Sequence, residues 1–284
     1  MDNSSSSLPI AIVTDSTSDL PMNLAETHHI YTVPAILVMG SESLEDGTQI
    51  SRQEFYERLP GIEPPPTTAS PSTGAFMAIY EKLLSQGFKQ IISVHAASQL
   101  SGIYNAARLA AQNFGQQVQV IDSGQVTFGL GFQVLAAAEA IQNGATLEKA
   151  LASLEDVRRR VRVIAMLDTM EYVRRSGRVS WAKASLGALL NLKLFIELRD
   201  GIVRRVGETR TRHKGIERLM DMLAALGPLE RLAVLHTNAE AEALELKERV
   251  ASTITGMIPV VNVTTVIGTH VGPKALGFAA VVTA

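Results

Sequence analysis

An α/β protein of two domains is predicted by three observations. Short β-branched apolar runs alternate with helical patterns along the chain, the runs end in hydroxyl-rich or acidic turns, and the second half contains an Asp-Gly hairpin signal. The N-terminal part is expected to form a three-layer α/β/α domain on a mainly parallel sheet. The C-terminal part is expected to form a two-layer α/β domain on a mixed or antiparallel sheet. A chain of 284 residues suits two domains of ordinary size. The boundary is placed at residues 1–160 and 161–284, with a ligand site between or within the two.

The elements follow in order. Ile10 to Val13 reads as a buried strand that runs into the polar turn Thr14 to Asp19. Tyr31 to Met39 reads as a second strand, and Arg52 to Leu59 as a helix capped by Ser51. Pro64-Pro65-Pro66 forces an extended backbone before Thr67 to Thr73, after which Phe76, Ile79, Tyr80 and Leu83 mark a helix. Strands at Ile91 to Val94 and Val118 to Ile121 flank a helix over Gly102 to Phe114. Gln125 to Arg160 is helical with a break at Asn143-Gly144 and a fresh cap at Thr146, and the pair is expected to bridge the domains. Val161 to Leu167 is a strand, followed by a helix through Glu171, a turn at Gly177 and a helix around Ala182 to Leu190. Leu192 to Leu198 and Ile202 to Val206 flank Arg199-Asp200-Gly201, which predicts a hairpin because Asp-Gly readily supplies positive φ. A helix over Gly215 to Leu226, a strand at Leu232 to Leu235, a helix over Ala239 to Ser252 and strands at Val260 to Ile267 and Phe278 to Val282 complete the chain.

Composition excludes several function classes. Hydrophobic residues make up 46% and charged ones 19%, enough apolar surface for two cores and a lined cavity. Lysine and arginine number 26 against 28 acids, so the net charge of −2 offers no field for nucleic acid or an anionic membrane. With no cysteine, thiolate chemistry, disulfides and Cys-based zinc sites are out, and none of the 6 histidines has HExxH or HxH spacing. No metal site is expected. The N-terminus lacks the charge and apolar run of a secretory signal, and no stretch is long enough to span a bilayer. A cytoplasmic protein without stable membrane insertion is expected.

Hydroxyl-rich loops carry the candidate chemistry. Thr67-Thr68-Ala69-Ser70-Pro71-Ser72-Thr73 offers five hydroxyls before a helix, of which capping needs one, so the segment is read either as caps or as an anion seat. Ser98-Gln99-Leu100-Ser101-Gly102 repeats the arrangement after the next strand. Asp15 and Asp19 serve as caps or hold magnesium, with capping favoured because no Walker-type glycine loop accompanies them. His270 sits between Gly272 and an apolar run in what reads as a loop between two strands, where an imidazolium could meet a carboxylate. Arg174-Arg175-Ser176-Gly177-Arg178 and Arg210 with Arg212 face phosphate or solvent.

Taken together these segments resemble the DegV family of bacterial fatty-acid-binding proteins, which includes the acyl carriers of the fatty acid kinase system. The likeness is carried by IVTDSTSDLP from Ile12, TASPS from Thr68, SQLSGIYNAA from Ser98, VIDSG from Val120, MEYVRRSGRVS from Met170, LGALLNLK from Leu186, the hairpin with TRTRHK, and THVGPKALG from Thr269. The resemblance implies a non-catalytic carrier that buries a long-chain fatty acid as its ligand, without other cofactor. It would present the acid to a separate ATP-dependent fatty acid kinase that makes the acyl phosphate. By position the carboxylate would be held by Thr68, Ser98 and His270, and Arg178 and Arg210 would meet phosphate or the kinase. Ser98 stands alone where the family has a serine pair, beside Ala97. Two other readings compete: a self-sufficient phosphotransferase of the dihydroxyacetone-kinase kind, with Asp15 and Asp19 holding magnesium-nucleotide, and a lipid sensor acting through protein contacts.

Overall fold

The computed structural model describes residues 10–184 and 192–284. The chain opens with β1 (Ile10–Asp15), α1 (Met22–Thr27), β2 (Ile30–Val33), β3 (Ile36–Met39), β4 (Glu42–Glu45), α2 (Arg52–Arg58), β5 (Thr67–Ala69) and α3 (Thr73–Ser85). It continues through β6 (Gln90–His95), α4 (Ile103–Ala111), β7 (Val118–Asp122), α5 (Thr127–Gln142) and α6 (Leu147–Arg160). The second half holds β8 (Val161–Leu167), α7 (Glu171–Ser176), α8 (Ser180–Ala184), β9 (Lys193–Arg199), β10 (Ile202–Thr209) and α9 (Arg212–Ala224). It ends with β11 (Leu229–His236), α10 (Glu240–Val250), β12 (Val260–Asn262), α11 (Thr265–Val271) and β13 (Leu276–Val282). Most of the helix expected over Ala182 to Leu190 lies outside the described residues.

The two-domain α/β class is as expected. The N-terminal unit is built on a four-stranded sheet of order β2-β1-β6-β7, all parallel. Alternation along its strands sends Ala11, Val13 and Ile91 to α3 and α4 on one face, and Ile12, Ile92 and Val94 to α5 on the other. The C-terminal unit has a six-stranded sheet of order β10-β9-β8-β13-β11-β12, antiparallel except for the β11/β12 pair. The hairpin forms as predicted, with Asp200 and Gly201 at φ 52° and 74°. Its tip touches the first unit, where the Gly201 N–H donates to the Gly124 carbonyl at 2.7 Å.

Helix α5 explains its own sequence. It is apolar all round because it packs against both sheets, joining Ile12 and Val94 of one to Val163, Leu235 and Ala279 of the other in a single core. Gly129 and Gly131 permit the close approach: a Cβ there would fall 2.6 Å from Val163 and 2.8 Å from the Ser18 carbonyl.

Two expectations are corrected. Tyr31 to Met39 is two strands in different sheets, split at Pro34, which has no N–H to give a ladder. Beyond it the Ala35 N–H turns to the Ser16 hydroxyl at 3.1 Å, and β3 pairs with β4 and β5 in a separate antiparallel sheet. Val260 to Ile267 is likewise not one strand. β12 stops at Asn262 and α11 follows, so His270 lies in the last turn of a helix. The cause is long-range: the Thr264 N–H donates to Asp19 at 2.8 Å and the Thr265 N–H to Asp46 at 3.2 Å, while the Thr264 hydroxyl caps Ile267. Two buried carboxylates thus take up helix donors that a β-branched run would otherwise spend on a ladder.

Those carboxylates have a measurable consequence. Burial raises the Asp19 pKa to about 6 from 3.8, against the pull of Arg52, the Thr127 hydroxyl and the Thr264 N–H and with Asp46 adding to the rise. A raised folded-state pKa contributes stability below the unfolded value of 3.8 that is lost as pH rises through about 6. Asp19→Asn keeps an acceptor for Thr264 without the charge. It is expected to stabilise the protein at pH 8 by about 1–3 kcal/mol and to give no gain below pH 4, read from melting temperatures across pH.

Candidate functional site

Helix α11, pinned at its start by Asp19 and Asp46, carries His270 to the edge of β5. There the His270 Nε2 and the Thr68 hydroxyl share a hydrogen bond of 3.0 Å. Thr68 reaches it because β5 pairs with β3, Thr68 opposite Leu37, which turns Thr68 away from its exposed neighbours Thr67 and Ala69. The remaining hydroxyls of that segment divide as capping demands: the Ser72 hydroxyl accepts from the Ala75 N–H and starts α3.

His270 is neutral at pH 7. Burial, with a smaller push from the Arg178 guanidinium, lowers its pKa from 6.5 to about 3. Arg178 follows the α7 cap Gly177, which has φ 67°. Its Nε–H donates to the Leu100 carbonyl at 3.2 Å and its NH1 to the Ser176 carbonyl at 3.1 Å. The arginine therefore ties α7 to the loop after β6 and keeps further N–H donors for a ligand.

Thr68, Ser176, Arg178 and His270 stand at the junction of two hollows. The inner one is apolar, walled by Val126, Val163, Leu167, Ile196, Leu198 and Val203, and so lies between the two sheets. The outer one is polar, with Glu63, Thr67, Glu171, Arg175 and Thr269 around it. An apolar tunnel that ends in two hydrogen-bonding side chains and a guanidinium suits an amphiphile with an acidic head.

The sequence-predicted residues divide accordingly. Thr68, His270 and Arg178 meet at this junction. Ser98 is exposed, with its backbone N–H on the Asp122 carboxylate at 3.2 and 3.3 Å, and lines neither hollow; Ser101, one turn further on, lines the inner one. Arg210 is exposed past the end of β10 and lines neither hollow. No cluster of three or more potential ligands for a metal occurs among the described residues.

Asp15 belongs to a different construction. It is fully buried, and its carboxylate accepts from the Thr17 N–H and hydroxyl at 3.0 and 2.5 Å, from His95 Nδ1 at 3.0 Å and from the Ala96 N–H at 3.1 Å. The chain continues from His95 Nε2 to Ser93 at 2.7 Å and from Ser93 to Tyr80 at 2.8 Å. An Asp–His–Ser series of this kind suggests nucleophilic catalysis, but Ser93 is fully buried and its hydroxyl is engaged by Tyr80, so it fixes the carboxyl ends of β1 and β6 instead. Asp15 has no oxygen left for magnesium, and Asp19 is buried against Thr264 and Arg52.

Comparison with known proteins matches this fold. A family model described as an uncharacterised protein of the DegV family covers residues 9–283. The chain belongs to the DegV family. A DegV domain-containing protein of Streptomyces coelicolor is 36% identical over 272 residues, 94% of this chain and 96% of that one. The DegV protein of Bacillus subtilis is 34% identical over 279 residues, 94% and 97%. Among solved structures, a DegV family protein from Thermus thermophilus described for its fatty acid binding superimposes with a TM-score of 0.89 at 32% identity, covering 97% of this chain and 100% of that one. The Bacillus subtilis DegV structure, described as a fatty acid binding protein, gives 0.86 at 32%, covering 98% and 100%.

No helix among the described residues is long and apolar enough to cross a membrane.

Proposed function

We propose that this DegV protein is a non-catalytic carrier of a long-chain fatty acid, held between the units 1–160 and 161–284. The acyl chain lies in the inner hollow and the carboxylate at Thr68, His270 and Arg178. The observation that carries the reading is the junction itself, where an apolar cavity opens onto a polar recess at a Thr–His pair beside a guanidinium. Each buried CH₂ contributes roughly 0.8 kcal/mol, so affinity comes from the chain, and the head-group donors offset the cost of taking a carboxylate out of water. The 32%-identical structures described as fatty acid binding support the same ligand. Ser101 replaces Ser98 in this proposal as the hydroxyl on the β6 side.

The outer recess suits a larger head group than a carboxylate. Arg175 and Arg178 line it beside His270, which favours presentation of the acid to a separate ATP-dependent kinase and retention of the acyl phosphate. Arg210, exposed and off the cavity, is assigned to the kinase surface. Denaturing and extracting the purified protein is expected to release long-chain fatty acid in near-stoichiometric amount by mass spectrometry. A protein that yields no lipid and binds no labelled fatty acid after delipidation overturns the reading, and turnover of ATP by the protein alone overturns the carrier role.

A further inference from the structure

The head-group residues reach the junction on separate pieces of chain. Thr68 comes on β5, His270 on the last turn of α11, and Arg178 just after α7. Thr68 and His270 are tied directly to each other. Arg178 is held instead by the Leu100 and Ser176 carbonyls, and among the described residues no hydrogen bond or ion pair joins α7 to α11 or to β5. The distance from the guanidinium to His270 therefore depends on how α7 packs against α11.

That packing has a point of unusually close approach. Tyr172, in the first turn of α7, lies with one edge of its ring on Gly272, the residue that ends α11. A Cβ at Gly272 would fall 2.3 Å from Cδ2, 2.8 Å from Cε2 and 2.9 Å from Cγ of the ring, so the ring rests on bare backbone where no side chain fits. The peptide beneath it is anchored. The Gly272 N–H donates to the Gly268 carbonyl at 2.8 Å, and the Gly272 carbonyl accepts from the buried Thr237 hydroxyl at 2.8 Å. Tyr172 also packs against Leu37, Phe55, Tyr56 and Leu59, the small core built by β3 and α2. Its ring is thus wedged between a fixed peptide of the C-terminal unit and the core of the N-terminal one. Val173, the next residue, lines the inner hollow with Val271 and leaves the outer side of the contact to Tyr172.

We propose that Tyr172 is a positioning residue of the head-group site: its ring, seated on Gly272, sets where α7 delivers Arg178 beside His270. The proposal rests on the fatty-acid reading and adds to it the contact that brings the guanidinium to the carboxylate. Because Tyr172 also lines the outer recess, its hydroxyl has to be tested separately from its ring.

The test is a double-mutant cycle on delipidated full-length protein, with octadecanoic acid binding followed by isothermal titration. Tyr172→Leu keeps apolar bulk in the cluster but cannot lie flat on Gly272, and Gly272→Ala pushes a methyl into the ring from the other side. Each is expected to weaken binding about tenfold on its own, and less than about threefold in an Arg178→Ala background that is itself about tenfold weaker than wild type. Tyr172→Phe keeps the ring and should bind within about threefold of wild type. Should Y172L or G272A fail to fold, the other carries the cycle. A loss as large without Arg178 as with it would make Tyr172 a general support of the fold and overturn the proposal. Binding by Y172F as weak as by Y172L would make the hydroxyl a ligand contact and overturn it too, as would full affinity in Y172L, G272A or R178A. Each of these outcomes leaves the fatty-acid reading standing, whereas a wild-type protein that binds no octadecanoic acid overturns both.

Discussion

Asp15→Ala is expected to cost roughly 3–5 kcal/mol, a large share of the about 5–15 kcal/mol that holds a domain folded, and to lower the urea midpoint accordingly. The carboxylate accepts four hydrogen bonds without exposing any surface, and its removal strands two backbone N–H groups, the Thr17 hydroxyl and one edge of His95 together. Asp15→Asn retains an acceptor and should fold, with a lower urea midpoint. The comparison separates two roles for the residue. A carboxylate reserved for magnesium-nucleotide would be dispensable for folding, so an Asp15→Ala protein with an unchanged urea midpoint would restore the phosphotransferase reading.

What was legible in the sequence was what is decided locally. Ser51 and Thr146 read as helix caps and each accepts from an N–H three residues on, because a cap is specified by the residues it touches. The Asp200-Gly201 turn is of the same kind. The misreadings occur where a distant group overrides local preference. Val263 to Ile267 is β-branched enough for a strand, yet Asp19 and Asp46, both more than two hundred positions earlier, convert its continuation to helix.

The site shows the same division. Loop hydroxyls mark a binding region but not which of them faces inward. That Thr68 and not Thr67 does so depends on the register of β5 against β3, and that Ser101 and not Ser98 lines the hollow depends on where the loop after β6 turns into α4. The family resemblance named Thr68, His270 and Arg178, which meet at the junction, together with Ser98 and Arg210, which stand outside both hollows.

His270→Ala is expected to raise the dissociation constant of a long-chain fatty acid roughly tenfold to a hundredfold, the range of one hydrogen bond to a charged group at about 1.5–3 kcal/mol. Thr68→Val should act in the same direction, and the double variant should lose less than the sum, because the two side chains hydrogen-bond each other. The unliganded protein gives a second readout of the same substitution. His270 has a folded-state pKa of about 3 against 6.5 unfolded. The unfolded chain therefore binds a proton in that window that the folded chain refuses, and wild-type stability, intact above pH 6.5, falls as pH drops toward 3. His270→Ala removes the histidine's share of that decline, so the ligand-free variant should lose less stability than wild type between pH 6.5 and pH 4 while binding fatty acid worse at pH 7. The arriving carboxylate favours the imidazolium, so binding in wild type draws a proton toward His270, and affinity should strengthen as pH falls through the pKa that His270 takes in the complex, above its ligand-free value of about 3. In His270→Ala that pH dependence should flatten. A steep dependence that survives the substitution would assign the proton to another group and take His270 out of the head-group site.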